Sequence, residues 1–172
     1  MFNIDIKFDD VSIMNVEKED ILKIKNWINK QQDFNIEARL NYDIKEFYER
    51  YLECYVSEGE YFLKVLLGSE LIGIIKGRIE FKNPNEVWIM CYLIENGLYE
   101  ADISNIIINE FSKHLHGNYG MCNFYTFSSS NNNAMVEFWK RNNFEKSRIT
   151  SNFLKIDSED KDIIILKKTI HK

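Results

Sequence analysis

The sequence predicts a mixed α/β fold, a mixed sheet flanked by helices, and three observations carry that prediction. Apolar, β-rich runs occur in pairs joined by short turns, which is how hairpins read. Segments of helical spacing stand between the first strands and those hairpins. A further helical segment separates two apolar runs, as in a strand–helix–strand crossover. The predicted order is β-α-α-β-β-β-α-β-α-β-β, with no repeat and no linker. A length of 172 residues fits a single domain, 1–172, able to bury a sizeable core.

Each element follows from local chemistry. Ile4–Phe8 and Val11–Val16 alternate loosely as strands. Asn15 then opens a helical pattern with Ile21, Ile24 and Ile28 in register. Gln31–Leu40 shows no period and reads as a loop. Asp43-Ile-Lys-Glu46 is a capping box, in which each end of the first turn satisfies the other. It starts a second helix through Phe47, Tyr51 and Tyr55 to about Ser57, with Gly59 as its stop. Tyr61–Leu67 and Leu71–Phe81 form a hairpin across Gly68-Ser-Glu70.

After Asn83-Pro84-Asn85, the run Val87–Glu95 is apolar on both faces, as a central strand must be. In Asp102–Gly117, Ile103, Ile107, Phe111 and Leu115 recur every four residues. Asp102 is placed to cap that helix and Gly117 to end it. Met121–Phe127 is the next strand. Small polar residues then lead into a short helix with Met135, Phe138 and Trp139 on one face. That helix stops at Asn142–Asn143, since Asn tolerates the left-handed conformation. Arg148–Ile156 and Ile163–Thr169 close the chain as a hairpin around Ser158-Glu-Asp-Lys161.

Composition narrows the function classes. The net charge of −5 argues against a general nucleic-acid or anionic-membrane surface, and mildly favours a cationic ligand. No apolar stretch approaches the roughly 20 residues a spanning helix needs, and the start Met-Phe-Asn-Ile-Asp-Ile-Lys does not read as a signal peptide. Cys54, Cys91 and Cys122 are odd in number and widely spaced, so they read as reduced thiols in a cytoplasmic protein.

Two segments carry a family resemblance. Trp88–Ser104, WIMCYLIENGLYEADIS, is similar to a pattern W-I-x-x-F-x-I-D followed by Q/R-x-x-G-x-G/A. Asn132–Phe144 is similar to N-x-x-A-x-x-F-Y-x-K-x-G-F. With the element order, these resemble the GCN5-related N-acetyltransferase (GNAT) family. The resemblance implies a mostly antiparallel, twisted sheet of six to seven strands, about four helices and a splayed central strand pair. It implies acetyl-CoA as co-substrate, its pantetheine arm beside Leu93, Ile94 and Glu95 and its diphosphate at the loop Tyr99, Glu100, Ala101, Asp102, Ile103 and Ser104. Asn132 falls on the motif Asn, which contacts the pantetheine or caps the helix, and Trp139 on the motif Tyr.

The departures bear on chemistry. Tyr99 replaces a basic or polar side chain, and Asp102 and Ser104 replace glycines, so Glu100 and Asp102 bring negative charge towards a dianion. As a cap, Asp102 would also fill the donors a diphosphate uses. Trp139 cannot serve as an acid for the leaving thiolate.

The implied activity is acetyl transfer to a primary amine of a small molecule or protein by direct attack, with a monomer or homodimer as the working unit. The alternative is a non-catalytic binding or regulatory module of the same fold that has lost acetyl-CoA. No catalytic residue is assigned. Cys91 reads as a core thiol, and His114 and His116 as helix-end residues. Glu86 and Glu95 read as solvated strand-end carboxylates that can also serve as a base. Tyr48, Tyr51 and Tyr55 read as core packing, with an acceptor pocket as the other possibility. No metal site is expected.

Overall fold

The computed structural model describes residues 1–31, 43–95, 97–98, 101–156 and 159–171, with the side chains of 154–156 and 159–161 excepted. Most of the expected Gln31–Leu40 loop, the turn residue Ser158, and Tyr99 and Glu100 therefore lie outside the described residues. The strands are β1 (Asp5–Phe8), β2 (Val11–Asn15), β3 (Glu60–Leu67), β4 (Glu70–Glu80), β5 (Glu86–Ile94), β6 (Asn123–Ser129), β7 (Glu145–Ile156) and β8 (Glu159–Thr169). They form one eight-stranded sheet in the order β1-β2-β3-β4-β5-β6-β8-β7. That is one strand more than the upper expectation, because both opening segments are strands. The β5–β6 pair is parallel, and the other registers described are antiparallel.

The chain divides into two compact units, each with its own logic. The first is Met1–Ile79 with Cys91–Gly97. Here α1 (Ile21–Lys30) buries Ile21, Ile24 and Ile28, as its spacing demands. Its start differs from expectation. Asn15 stays in β2, accepting from the Ile4 amide at 2.7 Å and donating to the Phe2 carbonyl at 2.9 Å. Those strand partners outcompete a capping role, and Glu17 with Asp20 caps a short 3-10 turn at Lys18–Asp20 instead.

The second helix, α2 (Ile44–Val56), opens on the predicted box. The Asp43 carboxylate accepts from the Lys45 and Glu46 amides, and Glu46 reaches back to the Asp43 amide at 3.1 Å. Its buried face is Phe47, Tyr51 and Cys54. Tyr55 is 56% exposed and does not join the core. Gly59 is not the helix stop, because the chain leaves α2 extended at Ser57. Instead, a Cβ at Gly59 would lie 3.0 Å from the Ile79 carbonyl, so its bare backbone fits a close strand crossing. Gly68, at φ 58, makes the tight turn between β3 and β4.

The second unit is Glu80–Met90 with Leu98–Lys172. Helix α3 (Asp102–Tyr119) runs past Gly117 and ends at Gly120, which is left-handed at φ 64. The Met121 amide reaches back to the Leu115 carbonyl at 3.3 Å and Met121 itself is fully buried. A glycine followed by an apolar residue makes this helix end, and Gly117, followed by Asn118, does not qualify. The buried set on α3 is Ser104, Ile107, Ile108, Phe111, Ser112 and Leu115, with Ile103 only half-buried. Helix α4 (Asn133–Arg141) buries Val136, Phe138 and Trp139, so Val136 takes the place expected of Met135. The closing hairpin is longer than predicted, and β8 lies between β6 and β7.

Candidate functional site

The parallel ladder between β5 and β6 runs over Glu86–Ile89 with Asn123–Thr126, whereas β5 continues to Ile94 and β6 to Ser129. Tyr125 lies in the paired part, opposite Trp88, and the two rings stack at 4.7 Å between centroids. The side chain of Lys167 sits 5.5 Å over the Tyr125 ring.

The tail of β5 belongs to the first unit. Leu93 and Ile94 are fully buried, and Leu93 packs in the cluster that holds α1 and α2. The Glu95 amide is engaged, donating to the Ile72 carbonyl at 2.8 Å. Of the three residues expected beside a pantetheine arm, Glu95 is thus tied to β4. Gly73 makes the fit possible, since a Cβ there would meet the Leu93 carbonyl at 2.8 Å and the Ile94 methyl at 3.1 Å. The sequence reading passed over Gly73, yet a lone glycine inside a β-rich run is the signal of such an approach.

The start of α3 belongs to the second unit. Its N-cap is Ala101, in extended geometry at φ −78 and ψ 149, and no side chain caps it. Asp102 is therefore the first helical residue and not the cap, and its side chain is exposed. Ser104 is fully buried, and both its hydroxyl and its amide turn back to the Ala101 carbonyl at 3.3 Å. The amides of Asp102 and Ile103 have no acceptor within their own helix, and the carboxylate predicted to fill them does not do so.

Asn132 is the N-cap of α4, its Oδ1 accepting from the Met135 amide at 3.1 Å. Trp139 is 1% exposed and edge-on to Phe138 at 5.2 Å and Phe144 at 4.9 Å. It is a core aromatic. Asn143 takes the left-handed conformation at φ 64, as the motif glycine would. Its neighbour Asn142, expected only as part of the helix stop, is the C-cap and has a further role. Fully buried, Asn142 donates to the Asn105 Oδ1 at 2.8 Å and to the Phe138 carbonyl at 2.9 Å, joining the end of α4 to the second turn of α3.

The remaining candidates have quieter roles. Burial pushes the half-buried Cys91 thiol up to about 11, Lys76 opposing the shift, so Cys91 stays protonated at neutral pH and is no nucleophile. Glu86 pairs with Lys82 at 2.8 Å. His116 meets the Met121 carbonyl at 2.8 Å, beside the helix end. Among the described residues, no group of three or more His, Cys, Asp and Glu could hold a metal ion, and no helix is long and apolar enough to cross a membrane.

Comparison with known proteins agrees with this geometry. A family model described as "Acetyltransferase (GNAT) domain" matches residues 13–165. No curated relative matches by sequence. Among solved structures, the RimL ribosomal L7/L12 alpha-N-protein acetyltransferase in complex with coenzyme A superposes with a TM-score of 0.85 at 11% identity, over 97% of this chain and 98% of that one. A spermidine N-acetyltransferase SpeG chimera from Vibrio cholerae and hSSAT has a TM-score of 0.81 at 15% identity, over 94% and 96%. The ribosomal-protein-S5-alanine acetyltransferase from Vibrio fischeri has a TM-score of 0.75 at 12% identity, over 97% of each chain. At these identities the likeness is one of fold.

Proposed function

Because the chain belongs to the GNAT acetyltransferase family, we propose that it moves an acetyl group from acetyl-CoA to a primary amine of a small molecule or a protein. The observation that carries this reading is the uncapped first turn of α3. Helix N-terminal amides and the helix dipole suit a diphosphate, and the amides of Asp102 and Ile103 would hold it. When bound, acetyl-CoA supplies the activated acyl group as a thioester. An amide on the Leu93–Glu95 strand would stabilise the oxyanion as the amine attacks. Orientation suffices for direct attack, and a Cys91 thiol held protonated supports a path with no covalent enzyme intermediate.

The acidic balance of −5 supports a cationic acceptor. Spermidine and protein N-termini, the acceptors named for the structural neighbours, have that character. Three free cysteines suit a reducing, cytoplasmic compartment. The second reading, a module that does not hold acetyl-CoA, rests on Asp102, an exposed carboxylate beside the same amides.

Release of coenzyme A thiol, followed over a panel of polyamines, aminoglycosides and peptide N-termini, tests the proposal. Acetyl-CoA-dependent release with one class of amine is expected. Absence of release with all of them, together with no binding of acetyl-CoA, would establish the module instead.

A further inference from the structure

Backbone amides hold a ligand well only where the helix that carries them is itself fixed. A binding constellation must stay within about 0.5 Å of its working geometry, which demands support from neighbouring elements. No side chain caps the start of α3, and Asp102 is exposed there. Support comes from another element of the same unit. The Asn142 Nδ2, at the end of α4, donates to the Asn105 Oδ1 at 2.8 Å. Asn105 follows directly on Asp102, Ile103 and Ser104, the first residues of α3.

The end of α4 is a rigid anchor. The Asn142 backbone amide reaches the Trp139 carbonyl at 3.0 Å, and so does the Phe144 amide. Phe138, Trp139 and Phe144 are fully buried and meet edge to face. Asn142 is itself fully buried, and its Nδ2 spends both hydrogens, on Asn105 and on the Phe138 carbonyl at 2.9 Å. Its Oδ1 has no hydrogen-bond partner among the described residues. A buried oxygen without a partner costs free energy. The Phe138 carbonyl also takes the Asn142 backbone amide at 3.3 Å, so α4 does not depend on the side chain. An apolar residue would suit this core position better. The distinct product of the amide is the bond to α3.

Resting on the reading that the α3 turn holds a diphosphate, we propose that Asn142 is a positioning residue for acetyl-CoA. Through Asn105 it fixes the first turn of α3 against the packed end of α4, so that the Asp102 and Ile103 amides stay aimed at the diphosphate. Asn142 acts through the helix start and touches no ligand atom. Without it, α3 would keep its buried face of Ile107, Ile108 and Phe111, while its first turn would fray more readily.

Calorimetry with acetyl-CoA and urea unfolding, on the same intact chains, test this. Asn142→Leu keeps the branching of the side chain and removes an amide with an unpaired oxygen. The unfolding midpoint should stay or rise, while acetyl-CoA binding weakens about fivefold. Asn105→Ala removes the acceptor and should weaken binding by a similar factor, at some cost in stability, because a buried Asn142 hydrogen loses its partner. The double variant should bind no worse than either single one, as expected when both act through one bond. Acetyl-CoA binding by the unaltered chain with unchanged affinity in either single variant, or losses that multiply in the double variant, would overturn the positioning role and leave the proposed transfer standing. A loss of affinity in Asn142→Leu matched by an equal loss of stability would reduce the bond to a structural one and overturn the role too. Absence of acetyl-CoA binding by the unaltered chain would overturn both.

Discussion

The segment Asn132–Phe144 and the first turn of α3 lie in the same unit and carry the two halves of one family signature, yet they are held in opposite ways. In the α4 segment the residues hold one another. Asn132 caps the helix, Trp139 packs between Phe138 and Phe144, and Asn143 makes the left-handed exit. At the start of α3 the fold asks for little. Ala101 caps nothing with its side chain, Asp102 faces solvent, and Ser104 folds back on its own helix. A position that packs is constrained by the core whether or not a ligand binds, whereas a position that serves a ligand through its backbone tolerates almost any side chain. The lost glycines of the α3 turn therefore weigh less against cofactor binding than their absence suggests, and Trp139 in place of a tyrosine is a packing solution.

Breaking the packed half should have the largest effect. Trp139→Ala removes a fully buried indole between two aromatics and should cost about 3–5 kcal/mol of stability in urea unfolding. A loss under about 1 kcal/mol would mean that the segment is not the keystone of its unit. Asn143→Val puts a β-branched residue at φ 64 and should cost about 1–2 kcal/mol, while Asn143→Gly should be neutral or slightly stabilising in the same measurement.

The α3 turn should respond in affinity and scarcely in stability. Asp102→Asn removes the charge and keeps the amide, so acetyl-CoA binding should tighten by about fivefold, the equivalent of about 1 kcal/mol. Asp102→Pro removes both. Ala101 already has the extended geometry a following proline requires, and proline is tolerated in the first turn. Binding should then weaken while the melting temperature stays within a few degrees. Opposite signs at one position would show that the amide, and not the side chain, is the contact.

Physical causes separate what was legible in the sequence from what was not. The Asp43–Glu46 box, the isoleucines of α1 and the aromatics of α4 were readable because each signal is local, a cap or a period of 3.6. Errors fell where tertiary partners decide. Asn15 reads as a cap, but bonds to Ile4 and Phe2 hold it in a strand. Gly117 reads as a stop, but burial of Met121 sets the end at Gly120. In the candidate site, Asn132 was readable as a helix cap. The engaged Glu95 amide, the close approach at Gly73 and the Asn105–Asn142 bond were not, because each joins residues distant in sequence.

Titration of the intact chain with acetyl-CoA by calorimetry tests most directly whether the uncapped turn of α3 still holds a diphosphate. A Kd near about 1 μM is the predicted result. No binding at about 1 mM acetyl-CoA would contradict it and leave the fold without the family's co-substrate.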